Sequence, residues 1–393
     1  MEKIFLVSGK RTPFGSFGGG LKDISATELT RHAAVATLQS ANVKPEDVDH
    51  TIIGNVVQSG PDAAYLARHV GLKAGVPVDR GAYNVNRLCG SGFQSIIDAA
   101  EMILLGDARC VLAGGVEQMS QIPYVARKVR FDGLRMGNFE LEDLMTAALT
   151  DAHIGLPMAM TAENLGEKYD ITREQCDIYS IKTQARHKAA KDKNYFADEI
   201  APYKVITKKG EVIIAADEHP KPDATLEKIA AMKPLFKKDG LVTAATASGV
   251  VDGAACSLIA SESFAKENNL KPLARIISWA SVGCDPKIMG IGPAPASRKA
   301  LLKAGLTLEQ MDLVEVNEAF AAQYLAVEKE LKLNPEKTNV NGGAIAVGHP
   351  LGASGTRILN LLAYELQRRQ GRYALGTACI GGGQGIAVVI ERV

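Results

Sequence analysis

None of the six cysteines of this 393-residue chain, at positions 89, 110, 176, 256, 284 and 379, stands in a C-x-x-C pair. Structural zinc and a disulfide framework are therefore not expected. The opening stretch "MEKIFLVSGKRTPFG" runs straight into an apolar strand, with neither a secretory signal nor an Arg-rich amphipathic lead, which points to reduced thiols in a reducing compartment. No apolar run is long enough to span a bilayer, so no membrane insertion is expected. Charge of one sign is missing too: 45 Lys and Arg against 44 Asp and Glu leave a formal net charge of +1. No global field then recruits nucleic acid or a membrane surface, and any basic patch has to be local. The expected location is cytoplasmic, or the mitochondrial matrix if the source is eukaryotic.

What is present is an ordinary globular composition, 46% hydrophobic and 23% charged, in a chain long enough for two or three domains. Strand-like runs ("KIFLVSG", "HTIIGNVV", "RCVLAGG") alternate with helical patterns such as 92–105, which predicts α/β units around mainly parallel sheets. The chain also echoes itself. "KPEDVDHTIIGNVV" parallels "TLEQMDLVEVNEAF", placing Asp49 and Asp312 in correspondence, and "CGSGFQSIIDAAEMILLGDARCVLAGG" parallels "LGASGTRILNLLAYELQRRQGRYALGTACIGG", matching Gly92 with Gly355 at the same offset of 263. Two matching offsets point to a duplicated half. Between the halves, from about Gln118 to Ala247, lies an insert of different character. Thr172 with Gln175 three positions on predicts a capping box there. Residues 182–238 carry thirteen Lys and Arg against eight Asp and Glu, read either as a solvated face or as a dock for a phosphorylated ligand.

Four stretches carry chemistry. In "NRLCGSGFQS", Cys89 stands before a Gly-Ser-Gly turn at the mouth of a helix, where unpaired N–H groups and the macrodipole would favour a thiolate of lowered pKa. "NVNGGAIAVGHPLGASGTR" sets His349 in a glycine-rich loop, and "GTACIGGGQG" ends a strand at Cys379 and opens three glycines whose N–H groups could meet an oxyanion. "VEVNEAFAAQ" places Asn317 at the end of an apolar run. Taken singly, each also fits a structural role: a packed cysteine, a turn histidine, a helix N-cap.

Taken together, and with "KRTPFG", "GGVEQMS", "TAEN", "ASGVVDGAA" and "NGGAIAVGHPLGASG", they resemble the thiolases, the acyl-CoA:acetyl-CoA C-acyltransferases, over essentially the whole chain. Around "CDPKIMGIGP" and "LPMAMTAEN" the resemblance is to mitochondrial-type 3-ketoacyl-CoA thiolases. It implies a five-layer αβαβα fold built from two βαβαβαββ halves, 1–117 with 248–270 and 271–393, with a loop domain inserted at 118–247. It implies Cys89 as the acylated nucleophile, His349 as its base and a donor to the enolate oxyanion, and Cys379 as general acid/base. Asn317 would hold a water in that hole, and the N–H groups of Cys89 and Gly381 would form a second hole for the thioester oxygen.

For coenzyme A, the co-substrate, Ser248 matches a pantetheine contact and Met158 a neighbour of the acyl channel. Lys221 stands where relatives often carry arginine near the adenine, and lysine cannot stack or fork in that way. Ala224 replaces a hydroxyl, so that contact is dropped. Pro157 stands where acetoacetyl-CoA thiolases have histidine, which leans toward a degradative enzyme of fatty-acid β-oxidation taking longer chains.

The implied reaction is ping-pong thiolysis of 3-oxoacyl-CoA to acetyl-CoA and a shortened acyl-CoA. Its alternatives are condensation of two acetyl-CoA molecules and a non-catalytic acyl-CoA-binding protein. Two thiols and one imidazole suffice for the chemistry, so neither a metal nor a tightly bound cofactor is expected. The implied assembly is a homotetramer, a dimer of dimers.

Overall fold

The apolar runs of the sequence are the sheet strands. In the computed structural model, which describes residues 2–131, 133, 136–208 and 210–393, the first half supplies β1 (Ile4–Arg11), α1 (Ala26–Ala41), β2 (His50–Gly54), α2 (Leu66–Ala74), β3 (Gly81–Val85), α3 (Ser91–Leu105) and β4 (Cys110–Gln118). The chain then leaves the sheet through a stretch that includes α4 (Met158–Lys168) and α5 (Arg173–Asp192), and returns as β5 (Val251–Ser261). The second half contributes β6 (Ala274–Gly283), α6 (Pro293–Ala304), β7 (Leu313–Val316), α7 (Ala321–Leu331), α8 (Ser354–Arg369), β8 (Tyr373–Ile380) and β9 (Gln384–Arg392).

The strand order is β7-β8-β9-β6-β1-β5-β4-β2-β3. Read outward from the β1–β6 contact, each half repeats one path: β1-β5-β4-β2 and β6-β9-β8-β7. Where β3 completes the first half, the second keeps a single parallel bridge between Val314 and Thr338. The expectation of mainly parallel sheets is corrected. β2 pairs in parallel with β3 and β4, and β7 with β8, but β1–β5, β4–β5, β1–β6, β6–β9 and β8–β9 are antiparallel. The β8–β9 turn spans only Gly381–Gly383, too short for the crossover that parallel pairing requires.

Side-chain alternation makes the layers. Along β5, Ile259 faces a core shared with α3 and α8, while Leu258 and Ala260 face α1 and α2. Along β9, Ile386, Val388 and Ile390 face that same shared core, and Ala387 and Val389 pack toward α6 and α7. A period of two thus buries both faces of both half-sheets, giving five layers. α3, packed between them, overlaps the one described helical stretch (Leu88–Leu105, mean hydropathy 1.3) apolar enough by length and composition to cross a membrane, and burial on two sides explains that apolarity.

The internal echo is physical. Asp49 accepts from the N–H groups of Arg109 and Cys110 at 2.8 and 3.1 Å, and Asp312 does the same for Arg372 and Tyr373 at 2.6 and 3.1 Å. The predicted capping box is also there: the Gln175 N–H donates to Thr172 Oγ1 at 3.2 Å, and the Thr172 N–H to Gln175 Oε1 at 2.9 Å. The inserted stretch is fastened to β1 by the buried Arg11 guanidinium, which donates to Glu199 and to both oxygens of Asp217.

Candidate active site

Cys89 sits at the foot of α3, in a turn held by local bonds. The Gly90 and Ser91 N–H groups donate to the carbonyls of Arg87 and Leu88, and Ser91 Oγ accepts from the Arg87 N–H at 2.9 Å. Leu88, at φ +48°, is held in the left-handed region, its N–H bonded to Asn86 Oδ1. Burial pushes the Cys89 thiol up to about 11, although the N–H groups of Gly381 and of Cys89 itself pull the other way. Glu117 adds to the push. The expected lowered pKa is thus corrected for the free protein: two of the helix-end donors are spent on nearby carbonyls, and desolvation outweighs the rest.

His349 follows the one-turn helix Ala344–Val347, outside regular structure as expected, and is almost fully buried. Its backbone N–H donates to the Gly249 carbonyl at 2.9 Å. Ser354 Oγ donates to the Pro350 carbonyl at 3.1 Å and lies 2.6 Å from His349 Nδ1. With that hydroxyl proton committed, Nδ1 carries the ring proton and Nε2 presents a lone pair. Asn317 Nδ2 stands 3.3 Å from Nε2 and donates to it. Burial, then the nearby Arg357 cation, lower the imidazole to about 3, so it rests neutral.

Asn317 is not a helix cap, since α7 begins four residues beyond it, at Ala321, with Phe320 in the cap position. Its N–H bonds the Thr377 carbonyl on β8 at 2.9 Å, and its buried Oδ1 has no partner among the described residues, which suits a bound water. Cys379, buried near the end of β8, has its pKa raised well above the thiol range by burial, with charge on Cys89 and Cys284 adding to the effect. Gly381 follows, and a Cβ there would lie 3.1 Å from Leu88 and 3.4 Å from Met158 Sδ. The structure therefore brings Cys89, Cys379, Gly381 and Met158 into one neighbourhood. Pro157 caps α4 just before Met158.

Lys221 lies elsewhere, on a cavity of about 580 Å³ lined also by Gln184, His219, Ala224, Lys228, Ala244 and Ala245. Among the described basic residues of 182–238, only Lys221 and Lys228 line it; Lys209 lies outside the described residues. Ser248 follows the cavity-lining Ala244 and Ala245 in the chain, its N–H bonded to the Ala319 carbonyl at 3.0 Å.

Two buried carboxylates escaped the sequence reading. Glu117 accepts from the N–H groups of Val56, Val57 and Gly352 and from Asn55 Nδ2. Glu318 accepts from Tyr179, Thr183, Asn339 and the Ile345 N–H, tying α5 to the Asn317 strand end and the His349 loop. Their signal was an acid inside an apolar run, in "GGVEQ" and "VEVNEAF".

Fold, paired thiols and imidazole together describe an enzyme of the acyltransferase class. Family models for the thiolase N-terminal domain, matching residues 4–263, and the thiolase C-terminal domain, matching 270–392, account for almost the whole length. The chain belongs to the thiolase family. It is 58% identical to the mitochondrial 3-ketoacyl-CoA thiolase of Homo sapiens over 392 residues, covering 100% of this chain and 98% of that protein. It is 50% identical to an acetyl-CoA acetyltransferase of Chromobacterium violaceum, covering 99% of this chain and 100% of that one. The crystal structure of the human mitochondrial enzyme in complex with CoA superposes with a TM-score of 0.97 at 56% identity, covering 100% of this chain and 98% of that one.

Proposed function

We propose that this thiolase degrades 3-oxoacyl-CoA chains longer than acetoacetyl-CoA, using free CoA to release acetyl-CoA and an acyl-CoA two carbons shorter. One observation carries the proposal: the segment 244–249 lines the 580 Å³ cavity at Ala244 and Ala245 and, at Gly249, holds the His349 backbone. An extended pantetheine arm laid past Ser248 then joins a nucleotide in that cavity, beside Lys221 and Lys228, to a thioester at the cysteines. The names of the relatives support a β-oxidation role and favour the mitochondrial matrix over the cytoplasm. We keep the three-part division at 118 and 248 and the homotetramer as part of the same proposal.

The chemistry starts from an uncharged site. Nε2 of His349 takes the Cys89 proton as the sulfur attacks the 3-oxo carbon, because neither group is charged at rest. The C2–C3 bond breaks, and its electrons pass to the thioester as an enolate. Protonated Nε2 and a water on Asn317 stabilise the enolate oxygen, and Cys379 delivers a proton to C2, releasing acetyl-CoA. The acyl group stays on Cys89 with its oxygen at the N–H groups of Cys89 and Gly381. Cys379, now a thiolate, takes the proton of incoming CoA, whose sulfur collects the acyl group, and His349 returns the proton to Cys89.

The experiment is parallel thiolysis of acetoacetyl-CoA and 3-oxo-octanoyl-CoA, following loss of enolate absorbance. Faster turnover of the longer chain is expected. Activity confined to acetoacetyl-CoA would assign the condensing role instead, a reading that the acetyl-CoA acetyltransferases among the relatives keep in view.

A further inference from the structure

Beneath His349 and Asn317 lies a buried ion pair that this scheme leaves idle. Arg357 on α8 and Glu315 on β7 are 2% and 1% exposed, and guanidinium Nη1 donates to Glu315 Oε1. The pair closes a ring with the site. His349 bonds Ser354 at 2.6 Å, and Ser354 stands one helical turn before Arg357 on α8. Glu315 stands two residues before Asn317, on the same side of the extended chain, and Asn317 bonds back to His349 at 3.3 Å. Arg357 Nε and Nη2 have no partner among the described residues, so a single carboxylate contact leaves the buried cation only partly compensated.

We propose that Arg357, with Glu315, is a positioning residue of the thiolase reaction: by anchoring α8 to β7 it fixes Ser354 and Asn317 around the His349 ring. The inference rests on His349 being the base. The other charged groups facing the pair are Glu318, after β7, and Glu199, in the inserted stretch. Burial pushes Glu315 up against the pull of Arg357, and Glu318 and Glu199 add to that push. After burial, it is the Arg357 cation that lowers the His349 pKa.

The test compares the wild-type enzyme with Arg357→Lys, which keeps a cation, and with the double variant Arg357→Met/Glu315→Gln. The double variant removes both charges together, an exchange that buried pairs often tolerate without loss of stability. In the double variant kcat should fall roughly 10- to 100-fold with the KM for CoA held within twofold. Removing the cation raises the imidazole pKa, so the acid limb of kcat/KM should move up by about one pH unit, while Arg357→Lys should keep the limb near its wild-type place. A His349 titration by histidine-labelled NMR, assigned with His349→Asn, reads the same shift without substrate. An unmoved limb with an unmoved titration overturns the inference and leaves the pair as scaffold. Absence of thiolysis in the wild-type enzyme would instead strike the functional reading, and the NMR titration would still decide the role of Arg357.

Discussion

Gly92 and Gly355, 263 residues apart, face each other where α3 and α8 cross: a Cβ on Gly92 would lie 3.0 Å from the Gly355 nitrogen and 2.7 Å from that of Thr356. These contacts are backbone, which cannot swing aside as a flexible side chain can. Gly92→Ala is therefore expected to cost about 2–3 kcal/mol by overpacking, more than the helix propensity alanine adds. Because the two helix starts carry Cys89 and the His349 loop, activity should fall with stability. Thermal and urea melts check this, and an unchanged melting point would refute the crossing as described.

Ser354→Ala removes the hydroxyl that fixes the His349 tautomer. The expected outcome is a loss of roughly 10- to 100-fold in kcat with little change in KM, because the group positions the base and touches no substrate. Steady-state kinetics decide it. A kcat within twofold of wild type would mean that Asn317 alone orients the ring.

The Cys89 pKa of about 11 has a direct readout. Thiolate fraction should rise about tenfold per pH unit from pH 7 to 10, and the rate of Cys89 alkylation by iodoacetamide with it, with CoA esters protecting. A plateau near pH 8 would show an activated thiolate in the free enzyme. In the companion experiment, Cys379→Ser should still acquire one acyl group per site but turn over about 10²- to 10⁴-fold more slowly. Wild-type turnover would remove Cys379 from the proton transfers.

Arg11 and Asp217 make the fold acid-sensitive. Burial alone would raise the Asp217 carboxyl, but Arg11, with His187 helping, holds it well below the usual carboxylate range. The folded pKa is depressed, so this stabilisation is complete above the ordinary unfolded value near 4 and drains away as pH falls below it. Arg11→Met leaves two buried carboxylates, Asp217 and Glu199, without their cation and should cost at least about 3–5 kcal/mol. Asp217 stands two residues before His219 on the cavity wall, so a folded Arg11→Lys variant should show a raised KM for CoA at near-normal kcat. Equal KM values would separate the clamp from the cavity.

Much of the fold could be read in advance because its signals are local. The apolar runs that became β1, β2 and β4 and the capping box at Thr172 each concern residues near one another in sequence, and the Asp49/Asp312 echo repeats one such local pattern in each half. Strand direction could not be read, because β4 and β5 are joined through more than a hundred inserted residues and no local pattern states which way the returning strand runs. Cys89, His349, Asn317 and Cys379 were legible as motifs, since glycine-rich loops around reactive side chains stand out. Glu117, Glu318 and the Arg357–Glu315 pair were not. Each is a charge inside an apolar run, and what neutralises or satisfies it comes from a distant part of the chain.

The sequence by itself determined the family, the duplicated α/β plan and the candidates for the reactive groups, all of which depend on residue type and order. Tertiary structure alone decided their protonation. A helix start next to Cys89 reads as an activated thiolate, yet the packed halves strip water from the sulfur and push the thiol up to about 11. The same packing, with the Arg357 cation, keeps His349 neutral. Desolvation is a property of what surrounds a group in space, and those surroundings come from both halves of the chain at once.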